Sequence, residues 1–187
     1  MNSILGLPAH PLLVHGVVVL LPLAVLAALV YALVPHWRDR FYPLIVAVVP
    51  LAMVFVVLAG GSGEALQANV PRSHWIHDHA QAAGTLNVLA WVFTVTFLLL
   101  VALDWRARRG GGGSRGSGQR AIVSGGGAGE SALKIAPGAA VAPRVLTLPL
   151  RVLLVAIALG VGFQIAVVGH TGAQAVWHKQ KMTNHGD

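Results

Sequence analysis

Four long stretches of this 187-residue chain contain almost no charged side chains. They run roughly over residues 12–34, 41–60, 82–103 and 146–168, and Arg151 near the start of the last is the exception. A helix that spans a bilayer needs about 20 consecutive, mostly apolar residues. Because backbone N–H and C=O groups in lipid must be paired within the segment, these stretches are expected to form helices.

Composition argues against a soluble protein. Hydrophobic residues make up 56% of the chain and charged residues 10%, against about 45–50% and about 25% in average soluble domains. Too little polar sequence remains to cover four apolar helices. We therefore predict an all-α fold, an integral membrane four-helix bundle that forms a single transmembrane domain over residues 1–187. The predicted helices cover about 11–34, 41–61, 73–105 and 146–170, so the second and fourth end in glycine-rich segments at 60–64 and 169–172.

The segment 106–143 between the third and fourth apolar stretches differs from the rest. It is rich in Gly and poor in aromatic residues, so it cannot bury enough surface to fold, and we predict a disordered cytoplasmic loop. Its glycines do not match the spacing of a dinucleotide-binding or phosphate-binding loop. We interpret its arginines as a determinant of topology, and we expect no nucleic-acid partner.

The basic residues are distributed unevenly between the two sides of such a bundle. The segments on one side carry ten of them, and the other side carries three: Arg72, Lys179 and Lys181. Cytoplasmic loops of membrane proteins carry an excess of Lys and Arg. The sequence therefore predicts a multi-pass protein of the inner (plasma) membrane with both termini outside the cytoplasm.

Histidine is more frequent than acidic residues in this chain, with nine His against six Asp and Glu, and there is no Cys. Eight of the nine His fall on the predicted outer side. Five ionisable residues lie near one plane at the outer helix ends: His10, His15, Glu64, His79 and His170. Since ionisable groups near a membrane are costly and usually face the bundle interior, we predict that these five form one site.

Three explanations account for such a cluster. A bis-His haem b needs two axial His, and small residues such as Gly16, Gly60, Gly61 and Gly84 to admit the porphyrin. A nonhaem Zn, Cu or Fe ion suits imidazoles with a carboxylate. A hydrogen-bonded network that only stabilises the bundle is the third. No catalytic motif is visible, so a stand-alone enzyme is not expected.

Three segments carry a resemblance to a known family: the opening GLPAHPLLVHGVVVLLPLA, the SGEAL that follows the second apolar stretch, and the closing GHTGAQAVW. Together with His79, they resemble the bacterial four-helix membrane domain called domain of unknown function 2231. The family's motif residues fall on the same five positions. Its relatives are sometimes joined to Rieske-type or cytochrome c-type modules, which implies a redox setting. The family usually has Phe-Pro after the second His, where this chain has Gly16-Val17.

The leading hypothesis is a bundle that binds b-type haem or a redox metal near its outer face and takes part in electron transfer. His15 with His79 or His170 would be the axial ligands, and His10 and Glu64 would tune the site. The alternatives are a nonhaem metal-binding membrane protein and a structural or assembly subunit with no cofactor. The expected partners are the lipid bilayer and a respiratory or redox membrane protein, and a homo-oligomer is left open.

Overall fold

The computed structural model describes residues 3–4, 7–70, 73–111 and 142–183, which are almost entirely helical. Two short strands, β1 (Ser3–Ile4) and β2 (Leu7–Pro8), form an antiparallel pair ahead of the first helix. The helices are α1 (Ala9–Leu33), α2 (Pro35–Arg40), α3 (Tyr42–Gln67), α4 (His74–Gly111) and α5 (Ala142–Thr183). The predicted all-α class is confirmed.

The long helices α1, α3, α4 and α5 form an antiparallel bundle. The packing of α1 on α3 and of α4 on α5 is the most extensive, and contacts of α1 with α5 and of α3 with α4 close the ring. The histidine end, named here for His10 and His79, holds the starts of α1 and α4 and the ends of α3 and α5. The opposite, arginine end is named for Arg38 and Arg151.

All four long helices contain a segment that is long and apolar enough to cross a membrane. These segments are His10–Leu33, Tyr42–Gln67, His74–Arg109 and Thr147–Trp177. Large apolar side chains such as Val19, Leu44, Val88 and Leu159 are exposed on the outside of the bundle. Lipid is the environment that such surfaces require, and the predicted membrane four-helix bundle is confirmed.

Small side chains bring the helices together at the centre. Ala24, Ala28, Ala52, Ala90 and Ala158 are completely buried, and residues of this size allow helix backbones in a membrane to approach closely. Larger side chains fill the core towards the arginine end. The rings of Tyr31 and Phe97 meet edge to face there, with centroids 5.4 Å apart, which is a favourable aromatic geometry.

Two helices continue beyond the ends expected from their glycines. α3 extends to Gln67 and α5 to Thr183. The glycines do not end either helix, because Gly63 and Gly172 each lie under an imidazole of a neighbouring helix. The loop predicted over 106–143 is also shorter at its edges, since 106–111 belong to α4 and 142–143 to α5. The rest of that loop, 112–141, lies outside the described residues.

A single carboxylate ties the helices together at the arginine end. Oδ2 of Asp104 on α4 accepts hydrogen bonds from Tyr31 Oη (3.1 Å), Arg38 Nη1 (3.3 Å) and Arg151 Nη2 (2.9 Å). These donors belong to α1, α2 and α5. The contact therefore fixes the spacing of the bundle at the end opposite the histidines.

Candidate functional site

His10, in the first turn of α1, packs against the end of α3. Its Nδ1 lies 3.1 Å from Ser62 Oγ and 3.2 Å from the carbonyl oxygen of Ala59. Ser62 Oγ donates its own proton to the same carbonyl, at 2.9 Å. Both neighbours of Nδ1 are therefore acceptors, so the neutral ring carries its proton on Nδ1 and keeps a lone pair on Nε2.

His79, near the start of α4, has a matching environment on α5. Its Nδ1 lies 3.3 Å from Thr171 Oγ1. Thr171 Oγ1 donates to the carbonyls of Val167 and Val168, at 3.0 and 3.1 Å. When the threonine proton points to one of these carbonyls, the hydroxyl accepts from the Nδ1–H tautomer of His79, and the Nε2 lone pair of this second imidazole is then available.

A glycine beside each hydroxyl makes room for the imidazole. A Cβ on Gly63 would lie 3.0 Å from Cε1 of His10, and a Cβ on Gly172 would lie 3.2 Å from Cε1 of His79. Both distances are below ordinary van der Waals contact. The dipeptides Ser62-Gly63 and Thr171-Gly172 therefore have the same role on different helices. The hydroxyl orients an imidazole, and the glycine leaves the space that the imidazole ring occupies.

The two imidazoles belong to opposite helices of the ring, and both lie at the histidine end. They are partly buried and close enough for a charge on one to act on the other. The arrangement is repeated in the two helix pairs, with His10 held by α3 and His79 held by α5. The two Nε2 atoms are the free donor atoms of this pair.

One family model matches residues 6–184, and its description is "Predicted membrane protein (DUF2231)". The chain belongs to the DUF2231 family. The match includes all four long helices and both ends of the bundle. No curated protein matches the chain, and no solved structure matches it.

Three of the five predicted site residues lie away from the imidazole pair in this DUF2231 protein. His15 is exposed, and its Nδ1 donates to the Pro11 carbonyl of its own helix at 2.6 Å. His170 is exposed and pairs with Gln174 at 3.1 Å. Glu64 is exposed at the end of α3. The structure partly buries His10 and His79 at the histidine end, and leaves the other three exposed at the rim of the same end.

Glu64 lines a separate cavity of about 760 Å³ between the end of α3 and the start of α4. Gln67, Ser73, His74 and His77 also line it. His74 is paired with Asp78 at 3.1 Å, and Nε2 of His77 accepts from Gln81 at 3.2 Å. The cavity is therefore a polar recess in which both imidazoles already have partners.

Metal ligands in proteins commonly come in groups of three or more. Within residues 3–4, 7–70, 73–111 and 142–183, no group of three His, Cys, Asp or Glu side chains is placed to hold a metal ion. The pair of Nε2 atoms supplies two donors. A bound ion would need further ligands from water or from side chains that change rotamer.

The predicted site does not include the residues that hold the imidazoles, which are Ser62, Gly63, Thr171 and Gly172. All four lie in the glycine-rich segments that were predicted to end the second and fourth helices. The signal was present in the repeated pattern of a hydroxyl residue followed by glycine, once in the SGEAL segment and once in the GHTGA segment.

Proposed function

We propose that the histidine end holds a redox-active transition-metal ion between Nε2 of His10 and Nε2 of His79, and that the protein takes part in electron transfer. The observation that carries this proposal is the matched pair of imidazoles, each with Nδ1–H engaged and Nε2 free. Metal-ligating histidines almost always donate their other N–H to a fixed acceptor, which orients the ring and raises its basicity.

The imidazole donors restrict which metal ions the proposed site would bind. Neutral imidazole suits copper, iron and zinc, and copper or iron would supply one-electron chemistry when bound. Zinc at the same site would make this a nonhaem metal-binding protein without a redox role. His15, Glu64 and His170 lie at the same end, and they are our candidates for additional ligands or for tuning the site.

Local packing favours an ion over haem b. The space beside Gly16, which a porphyrin could have used, is filled by the ring of Phe55. Gly61, Gly84 and Gly169 have no atom within 4 Å of a built Cβ, but all three lie on exposed faces of their helices. These small residues therefore face the outside of the bundle and do not provide space for a porphyrin inside it.

A structural role is the second candidate, and one observation favours it. Each imidazole bonds to the helix that packs against its own, so His10 ties α1 to α3 and His79 ties α4 to α5. On this reading the histidines stabilise the bundle and need no ligand. The two functions differ in what a histidine substitution removes.

The experiment is metal analysis and a visible spectrum on one detergent-purified preparation of the full chain. We compare wild type with His10→Ala and His79→Ala, and use His36→Ala as the control, since His36 is an exposed histidine at the opposite, arginine end. The expected result is bound copper or iron in wild type and in the control, and its loss in the other two variants.

Three outcomes would contradict the proposed metal-ion site. Equal metal content in all four proteins would mean adventitious binding. If wild type contains no metal, and the His10→Ala and His79→Ala variants unfold at a lower temperature than wild type, the structural role would be supported. A Soret band that disappears with either of these histidines would assign the site to haem instead.

The proposed electron transfer needs a location and a partner. We place the histidine end on the extracytoplasmic side of the plasma membrane, because the arginine end and its flanking segments carry most of the basic residues. A respiratory or redox membrane protein would exchange electrons there, and a second copy of the chain is a further candidate partner.

A further inference from the structure

Three guanidinium groups share two carboxylates at the arginine end. Arg38 lies 3.3 Å from both Asp39 and Asp104, Arg108 lies 2.7 Å from Asp39, and Arg151 lies 2.9 Å from Asp104. The hydrogen bond from Arg108 holds the pKa of Asp39 below its ordinary value, so this carboxylate is charged at neutral pH. The cluster therefore has one positive charge more than its acids neutralise.

The side chains that carry this surplus positive charge are partly buried. The side chains of Arg38, Asp104 and Arg151 are only 14%, 12% and 23% exposed. A buried charge is costly unless it is paired and hydrogen-bonded. An additional anion beside this cluster would lower that cost.

Among the residues that the structure describes, the geometry at Asp104 leaves guanidinium donors free for such an anion, although Arg38 also gives its Nε to Asp39. Arg38 and Arg151 each reach its Oδ2 atom through a single nitrogen, although a guanidinium carries five N–H groups. Because both nitrogens lie within 3.3 Å of the same oxygen, the two guanidiniums are neighbours. One phosphate group can therefore contact both, and arginine binds phosphate well because of its planar, forked donors.

The depth of the cluster identifies the source of the phosphate. Trp37 and Trp105, which are 55% and 45% exposed, are the sequence neighbours of Arg38 and Asp104. Exposed tryptophans are enriched at the level of the lipid headgroups. Arg109, whose guanidinium lies 3.6 Å above the ring of Trp105, adds a further positive charge at this level.

We propose that the arginine end binds the headgroup phosphate of an anionic phospholipid between Arg38 and Arg151. The inference is independent of the function proposed for the histidine end, because it uses none of the same residues. It assigns a lipid site to arginines that also bond to Asp104 within the bundle.

The test compares full-length protein in nanodiscs of phosphatidylcholine alone with nanodiscs that also contain phosphatidylglycerol. The measurements are the melting temperature and the lipids retained in native mass spectrometry. We expect phosphatidylglycerol to raise the wild-type melting temperature, and Arg151→Gln to lose most of this increment. Its affinity for phosphatidylglycerol should be about fivefold lower, equivalent to about 1 kcal/mol for one basic residue near an anionic surface.

Arg109→Gln is the matched control, because Arg109 is an exposed arginine at the same end whose guanidinium stacks on a tryptophan. It should keep most of the increment. If Arg151→Gln does not fold, Arg151→Lys keeps the charge without the fork, and it should show a smaller increment than wild type.

Three results would overturn the proposal. Equal losses in Arg109→Gln and Arg151→Gln would mean diffuse surface charge. Equal melting temperatures of wild type in the two lipid mixtures would mean that no anionic lipid is bound. Stabilisation by inorganic phosphate in phosphatidylcholine discs, equal to that by phosphatidylglycerol, would assign the site to a soluble anion.

Discussion

The ring of Phe55 on α3 occupies the position at Gly16 of α1 where any other residue would carry its β-carbon. α1 and α3 approach closely at this point, within two turns of His10. The missing side chain at residue 16 is therefore a packing requirement of this helix pair. The same glycine is one of the small residues predicted above to admit a porphyrin.

Gly16→Ala should lower the stability of the protein. The new methyl group would overlap the Phe55 ring, and overpacking of this kind costs about 1–3 kcal/mol. Gly84→Ala is the control, because a Cβ there has no atom within 4 Å, and replacing a helical glycine by alanine gains about 0.5–1 kcal/mol. Thermal unfolding in detergent measures both, and equal changes would show that Phe55 moves away without cost.

Thr171→Val should remove the hydrogen bond that orients the imidazole of His79, while it keeps the shape of the side chain at position 171. The variant removes the acceptor of the Nδ1–H bond, and losing one such bond costs about 1 kcal/mol. If the site binds metal, affinity should also fall by about 10–100-fold, as for other residues that orient a metal ligand. Thr171→Ser restores the hydroxyl and should recover both quantities. A Ser variant as weak as the Val variant would mean that the methyl group, and not the hydrogen bond, is what matters.

Asp104→Asn should destabilise the bundle more than Asp39→Asn. Asp104 accepts three hydrogen bonds in a largely buried position, and hydrogen bonds to charged groups contribute about 1.5–3 kcal/mol. Asp39 is 54% exposed, and exposed ion pairs contribute about 0–1 kcal/mol. Chemical denaturation of the two variants in the same detergent compares them. Similar losses would indicate that Asp104 is better hydrated than its burial implies.

The proposed orientation predicts which single cysteines are labelled from outside intact cells. The chain contains no Cys, so each introduced cysteine is the only target of a membrane-impermeant maleimide. Gln67→Cys, at the histidine end, should be labelled in intact cells, and Arg40→Cys, at the arginine end, only after the cells are opened. The reverse pattern would invert the topology and place the histidine pair in the cytoplasm.

Sequence reasoning found the spans because lipid imposes one requirement on all of them, an apolar exterior over a fixed length. It could not locate helix ends from glycine alone, because Gly63 and Gly172 are covered by side chains from distant parts of the sequence. The hydrogen bonds of Asp104 could not be predicted for the same reason. Asp104 lies just beyond an apolar stretch, and its partners are 47 to 73 residues away in the sequence.

The five-residue site was predicted from the depth of each residue along the membrane normal. That depth does not determine the direction in which a side chain points around its helix. His10 and His15 are five positions apart on one helix, which at 3.6 residues per turn places them about 140° apart around its axis. They cannot both face the centre of the bundle, and the structure points His10 inward and leaves His15 exposed. His170 and Thr171 differ in the same way, and here the hydroxyl faces inward and the histidine faces out.

Each helix pair contributes one imidazole together with the hydroxyl and the glycine that hold it. During synthesis α1 and α3 are completed before α4 and α5, so the first half is made while its counterpart is still missing. A ligand that needs both Nε2 atoms cannot be captured by the nascent half. The ion proposed above would therefore be acquired only after both hairpins have been inserted and joined.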